Sequence, residues 1–152
     1  MVLVDGIKST ALLVAALSGA TMALQGAINS GLGKVIGLLE TTFIVHVIGL
    51  VLVAVLLFAF GLGDGSLARV GEAPWYSYLG GILGVIIVYT VVRSMPKVGV
   101  APATTAIIVA QVLTATLIDH FGWFGMRQIP FNWYRVVGAM LMAGGAFLVL
   151  RD

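Results

Sequence analysis

Polar side chains inside long apolar runs are the groups of this sequence that could do chemistry. In the first run, Ser18, Gln25 and Asn29 lie seven and four residues apart. At about 100° per residue this spacing places them on one stripe of a helix. Amides and hydroxyls in an apolar environment need partners. They either join neighbouring helices, which contributes about 0.6 kcal/mol per contact, or line a wet cavity that binds a ligand, and both roles stay open.

Later apolar runs carry further polar groups. Gln111 and Thr114 lie well inside the fourth run, and Tyr89 lies inside the third. An amide in such a place faces other helices rather than lipid, whether it joins helices or lines a cavity. The candidate residues for lining a substrate cavity are therefore Ser18, Gln25, Asn29, Tyr89, Gln111 and Thr114.

His46, near the start of the second run, is a candidate for ion coupling. Imidazole is the side chain that changes its charge most readily near neutral pH. The alternative is a neutral histidine that bonds to Thr42 or to another helix. The sequence allows either role.

Two carboxylates lie at the ends of apolar runs and complete the ion-coupling candidates. Asp119, followed by His120, could be a proton-carrying gate or a hydrated carboxylate at the membrane surface. Glu40 stands where the second run begins. It could pair with Lys34 or stabilise the amino end of a helix.

The composition shows which solvent must surround these groups. Hydrophobic residues make up 61% of the 152 residues and charged residues only 9%, whereas soluble domains carry roughly 25% charged residues. Lipid is the environment that such a surface requires. No cysteine is present, and we found no metal-ligand spacing, phosphate loop or carboxylate pair. We therefore expect no enzyme, no cofactor and no metal, and the scattered basic residues argue against nucleic acid as a partner.

The intervals between charged residues mark the membrane spans, because a charge in mid-bilayer costs at least about 2.5 kcal/mol. About 20 residues are needed to cross the hydrocarbon. We expect an all-α protein with one transmembrane domain, residues 1–152. Its five predicted spans are residues 10–28, 41–61, 75–92, 100–118 and 132–150.

The connections and the small residues fit this arrangement. Breakers occur at 61–65 and 72–74, and at 95–97 and 99–102, while the longest predicted connections are 62–74 and 119–132. Small residues let helices approach closely. The glycines expected to pack helices are Gly80, Gly84, Gly138 and Gly145.

Basic residues divide evenly between the two sides of a five-span chain. One side carries Lys8, Arg69, Arg127 and Arg135, and the other carries Lys34, Arg93, Lys97 and Arg151. Because the Lys and Arg bias normally sets orientation, this balance favours insertion in both directions. Two copies of opposite orientation would form an antiparallel ten-helix homodimer, the inverted-repeat plan of many transporters. The alternative is a chance balance, with a partner that fixes one orientation.

Four segments carry a resemblance to a known family: Gln25–Asn29, Pro74–Gly84, Ala110–Ala115 and Leu117–Gly125. Together they resemble the YdcZ-like family of the drug/metabolite transporter superfamily over nearly the whole chain. The resemblance implies short five-helix proteins that act as antiparallel homodimers, as paired subunits or as halves of fused ten-helix chains. It directs attention to Gln25, Asn29, Gln111 and Asp119, whereas His46 and Glu40 lie outside the matched motifs.

The function expected is a secondary transporter or exporter of small organic metabolites or drugs in the bacterial inner membrane. It would work by alternating access, coupled to protons through Asp119 or His46, or by facilitated exchange. Its expected partners are the lipid bilayer, a second inverted copy and the small-molecule substrate. The alternatives are a small multidrug-resistance-type efflux protein, which carries a membrane-embedded glutamate in its first helix, a dual-topology ion channel, and an assembly subunit without transport of its own.

Overall fold

The described part of the chain forms five α-helices. The computed structural model describes the backbone of residues 2–151 and the side chains of residues 8–151. The helices are α1 (Val2–Ile36), α2 (Leu38–Ala54), α3 (Leu79–Val98), α4 (Val100–Phe121) and α5 (Trp133–Val149). No strand occurs among the described residues, so the all-α prediction is confirmed. The chain divides into two compact units, residues 1–96 and residues 97–152.

Helix length and composition agree with the predicted spans. Four stretches are long and apolar enough to cross a membrane: Lys8–Ile36, Leu38–Ala59, Trp75–Val98 and Val100–Phe121. The fifth helix is apolar but has only 17 residues. At about 1.5 Å per residue it covers about 25 Å, at the short end of the range for a spanning helix.

The helix bounds differ from the predicted span and connection bounds at three places. The first helix runs far beyond residues 10–28, from Val2 to Ile36, because the apolar stretch tolerates Gly31 and Gly33 inside it. The predicted break at 95–97 does not exist, since α3 continues through Pro96. A proline in a last turn removes one hydrogen bond and does not stop the helix. The predicted connection at 119–132 begins at Gly122, whose positive φ of 63° ends α4.

The predicted breakers after span two are confirmed. A π-helical turn, Val55–Ala59, prolongs α2, and Gly61 turns the chain with a φ of 63°. Short 3-10 helices follow at Leu67–Glu72 and Trp75–Tyr78. Within this connection Arg69 pairs with Glu72 at 2.7 Å, and that carboxylate raises the pKa of Arg69.

Single glycines separate two pairs of consecutive helices. Gly37, between α1 and α2, has φ 101° and ψ 166°, and Gly99, between α3 and α4, has φ 92° and ψ 162°. This region of backbone space is essentially reserved for glycine. We call these two turns the Gly37 joint and the Gly99 joint.

The core of the first unit lies where α3 meets α1. Val92 and Met95 of α3 are buried. A Cβ at Gly26 would lie 2.6 Å from Met95 Cε, and one at Gly33 would lie 2.5 Å from Val92 Cγ1. The two glycines therefore form notches that α3 side chains fill.

The second unit is built on contacts between α4 and α5. Its buried side chains are Ala103 of α4 and Ala146 of α5. The segment between the helices folds back onto the end of α4, because Ile129 N–H donates to the Asp119 carbonyl at 2.8 Å. Asn132 caps α5 by accepting a hydrogen bond from Arg135 N–H at 2.9 Å, so this helix begins at the place where the fifth span was predicted to begin.

Candidate functional site

The polar stripe of α1 is divided between two environments. Ser18 and Gln25 are exposed, whereas Asn29 is only 7% exposed. Two faces of α1 can be compared: the polar stripe, and the face that α2 and α3 cover. With about 100° of rotation per residue, the centres of these two faces lie about 60° apart around the helix axis. Asn29 belongs to both faces, so it is buried while the other two polar residues remain uncovered.

The other candidate cavity residues are mostly uncovered as well. Tyr89 of the first unit is half-buried, and Gln111 and Thr114 of the second unit are exposed. The Thr114 hydroxyl donates to the Ala110 carbonyl of its own helix at 2.8 Å. In contrast, the Gln111 amide has no hydrogen-bond partner among the described residues.

His46 is half-buried and bonds to its own helix. Its Nδ1 lies 2.7 Å from the Thr42 carbonyl oxygen. Since a carbonyl only accepts, we assign the proton of the neutral ring to Nδ1, which leaves the lone pair on Nε2. Nε2 faces α3, where it lies 3.6 Å from the position of a Cβ on Gly84. The predicted contact with Thr42 is thus confirmed, and an unbonded basic nitrogen faces a glycine.

Gly84 is the predicted packing glycine that has a neighbour in the single chain. A Cβ at Gly80, Gly138 or Gly145 would meet nothing within 4 Å. A packing role for these three stays a prediction, which would require another chain. Tight contacts between helices occur instead at Gly26 and Gly33, which the sequence reasoning missed.

Glu40 lies in the first turn of α2 and is exposed. Its carboxylate folds back against Gly37, where any Cβ would collide with it. The ion pairs among residues 8–151 are Arg69–Glu72 and Arg135–Asp119, so Lys34 and Glu40 do not pair. Of the two roles predicted for Glu40, the structure favours the one at the amino end of the helix.

Asp119 lies in the last turn of α4 and binds α5. Its carboxylate accepts a hydrogen bond from Arg135 Nη1 at 3.1 Å, with the two side chains 37% and 31% exposed. This ion pair links the two helices.

His120 holds the segment that connects α4 to α5. Its Nδ1 accepts a hydrogen bond from Phe131 N–H at 3.2 Å, and its ring lies 4.9 Å from that of Phe131. The side chain of Gln128 donates to the His120 carbonyl at 3.0 Å. Asp119 and His120 therefore close the end of a helical hairpin, a role that their position in the sequence did not reveal.

A group of buried polar residues at the Gly37 joint was also missed. The polar residues that are buried within residues 8–151 are Asn29, Ser30, Thr41 and Thr42. All four lie within one turn or two of Gly37 along the chain. Sequence spacing offered one signal, since Gly26, Asn29, Ser30 and Gly33 follow the i, i+3, i+4, i+7 pattern of a helix face.

A family model described as "Putative inner membrane exporter, YdcZ" matches residues 10–148. The chain belongs to this family. The matched region includes all the candidate residues above, and the resemblance expected from the sequence motifs is confirmed. No curated protein matches the chain, and no solved structure does. Membership of the YdcZ family, together with the long apolar helices, identifies a multi-pass inner membrane protein whose family consists of transporters rather than enzymes.

Proposed function

We propose that this protein is one half of a secondary exporter that works by alternating access, and that two copies of opposite orientation form the complete transporter. Its substrates are small organic metabolites or drugs. Family membership supports export across the inner membrane. The even division of eight Lys and Arg residues between the two sides supports dual orientation.

The observation that carries the proposal is that most side chains of the apolar spans are exposed in a single chain. In each of the four long apolar stretches, only 6% of an 18-residue apolar window is buried. Lipid can cover the apolar side chains in these stretches, but it offers no partner to the exposed amides of Gln25 and Gln111. A second copy and a substrate cavity would supply those partners.

We further propose that His46 is the proton-coupling residue. The Asp119 carboxylate already bonds to Arg135, so a proton there would break an ion pair between helices. The lone pair of His46 Nε2 has no partner among the described residues and faces the small side of α3 at Gly84. A proton can therefore bind Nε2 while Nδ1 keeps its bond to the helix.

Orientation can be tested directly because the chain has no cysteine. Single cysteines placed at Ser9 and at Arg151 should each react with an impermeant maleimide in only part of the population in intact cells. Complete labelling of one tag and none of the other would contradict dual orientation. A permeant maleimide, which should label every copy, serves as the control.

The cavity and the coupling residue can be tested in proteoliposomes with a substrate found by a ligand-induced thermal-shift screen. Gln25→Ala and Gln111→Ala should abolish ligand binding, while Thr114→Val, which removes a hydroxyl bonded to its own helix, should retain it. His46→Gln should bind ligand but lose the dependence of transport on a pH gradient. Unchanged transport in all three polar variants would overturn this site, and flux without saturable counterflow would indicate a channel.

A further inference from the structure

Most threonine hydroxyls in these helices donate to the backbone of their own helix, and the Thr41 hydroxyl at the Gly37 joint does not. In the spans, the hydroxyls of Thr21, Thr42, Thr90, Thr105, Thr114 and Thr116 each donate to the carbonyl four residues earlier. This bond satisfies the hydroxyl locally. Three buried hydroxyls among the described residues make no hydrogen bond: Ser30 Oγ, Thr41 Oγ1 and Thr104 Oγ1. Thr104 lies on α4, whereas Ser30 and Thr41 lie on the two helices that the Gly37 joint connects.

The Ser30 and Thr41 hydroxyls are too deeply buried to contact a large molecule. Thr41 is 0% exposed and Ser30 is 5% exposed. They are covered within the first unit, so neither lipid nor a second copy of the chain can contact them. Buried hydroxyls without partners are unfavourable, and only a water molecule or an ion is small enough to satisfy them here.

The Thr41 hydroxyl belongs to the contact between α1 and α2. Thr41 Oγ1 lies 3.6 Å from the position of a Cβ on Gly33, and Ser30 is one turn earlier than Gly33 on the same face of α1. Asn29, also buried, precedes Ser30. Helix geometry therefore places the Ser30 hydroxyl and the Asn29 amide on or beside the face of α1 that meets Thr41.

The end of α1 adds negative potential to this place. Because α1 ends at Ile36, the carbonyls of residues 34–36 have no partner within the helix and carry the negative end of its dipole. The Glu40 carboxylate folds against Gly37 at the same joint. Oxygen ligands of this kind suit hard cations, and unwound helix ends with hydroxyls coordinate Na⁺ in other transporters.

We propose that the Gly37 joint binds a monovalent cation of the size of Na⁺ through Ser30 and Thr41, with Asn29 and the end of α1 completing the set of oxygens. Neutral ligands dominate, and the one nearby carboxylate is exposed, which disfavours a divalent ion. The cation ties α2 to the end of α1. The inference does not depend on the exporter function or on the orientation of the chain.

The test is thermal unfolding of the purified full-length protein in detergent, with NaCl replaced by choline chloride at constant ionic strength. Na⁺ should raise the Tm of the wild type saturably, by about 5 °C at 100 times its Kd. Thr41→Val and Ser30→Ala should abolish the rise. Thr42→Val is the matched control, because Thr42 is a buried neighbour whose hydroxyl bonds to Leu38, and this variant should keep the rise.

The behaviour in choline separates a cation from a water molecule. Without Na⁺, Thr41→Val should unfold at or above the Tm of the wild type, because it removes an unbonded buried hydroxyl, and it should fall below the wild type when Na⁺ is added. A wild-type Tm that is the same in Na⁺ and choline would mean that only water is present and would overturn the proposal. If Thr41→Val fails to fold, direct binding of ²²Na⁺ replaces the unfolding test. The wild type and Thr41→Ser, which keeps the hydroxyl, should both bind ²²Na⁺. Absence of binding to the wild type would overturn the site.

Discussion

The Gly37 joint and the Gly99 joint have nearly the same backbone and different chemistry. Each connects two helices through one glycine, with φ of 101° and 92°. In each, the residue four positions later donates its N–H to the glycine carbonyl, at 3.1 Å from Thr41 and 3.2 Å from Ala103. Both of these residues are buried. A glycine in this conformation thus suffices for the turn, whatever side chain follows.

The side chains of the two joints therefore need separate explanations. At the Gly37 joint the residue four positions after the glycine is Thr41, whose hydroxyl has no partner. At the Gly99 joint it is Ala103, which needs none, although the next residue, Thr104, also carries a buried hydroxyl without a partner. Since the Gly99 joint forms without a buried hydroxyl at this position, the backbone does not require Thr41. Its hydroxyl is better explained by binding than by folding.

The largest expected effect is the loss of either glycine. Gly37→Ala and Gly99→Ala should each destabilise the protein by about 3 kcal/mol, because other residues rarely adopt this backbone conformation. Unfolding in mixed micelles would measure the loss. Gly49→Ala is the control, since its Cβ would meet nothing within 4 Å. If the losses of unfolding free energy differed strongly between the two joints, the similar backbone angles would not reflect similar strain.

The helix that enters the Gly37 joint is packed more tightly than a simple turn requires. Gly33→Ala should cost about 2 kcal/mol, because its Cβ would lie 2.5 Å from Val92 Cγ1, part of a stiff β-branched side chain. Gly26→Ala should cost somewhat less, since its Cβ would lie 2.6 Å from the flexible end of Met95 and 2.9 Å from the stiff Val91 Cγ1, so the stiff contact is less close than at Gly33. The same unfolding measurement applies, and a larger loss at Gly26 would contradict this explanation.

The far end of α4 carries an ion pair in addition to its terminal glycine, Gly122. Asp119→Asn should destabilise the protein by about 1 kcal/mol, as expected for a partly exposed pair. Arg135→Gln should have a similar effect, and the double variant should lose little more than either single variant. A double-mutant cycle gives the coupling. Strictly additive losses would show that the two residues act independently.

The smallest effect concerns the residue three positions after each glycine. Glu40→Gln should cost about 0.5 kcal/mol by removing a negative charge from the amino end of α2, and the loss should shrink at high salt. Pro102 occupies the matching place at the Gly99 joint, 3.4 Å from the Cβ position of that glycine. Pro102→Ala should show no salt dependence, and any such dependence would count against the electrostatic explanation.

Much of the fold could be predicted because lipid constrains the sequence strongly. Charges had to stay outside the spans, so the five helices could be located, and glycine at residues 61 and 99 marked real breaks. Pro96 misled the prediction, because a proline near a helix end is tolerated while the glycine after it ends the helix. Asn132 was placed correctly, since capping depends on local sequence.

The candidate site was harder to predict. The stripe of Ser18, Gln25 and Asn29 follows from spacing alone, but spacing cannot tell which edge of the stripe another helix covers. The pairing of Asp119 with Arg135 depends on how the intervening segment folds back, through His120 and Phe131. These contacts join residues up to 16 positions apart, which local patterns do not report.

By itself, the sequence determined that the chain lies in lipid, where its helices are, how its basic residues are distributed and which family it belongs to. Each of these follows from composition, local pattern or motif. Only the tertiary structure decided that Asn29 is buried while Gln25 is not, and that two hydroxyls at the Gly37 joint lack partners. The physical reason is that burial belongs to contacts between helices. In an isolated helix all sides are equally exposed, and only the packing of a neighbouring helix buries one of them.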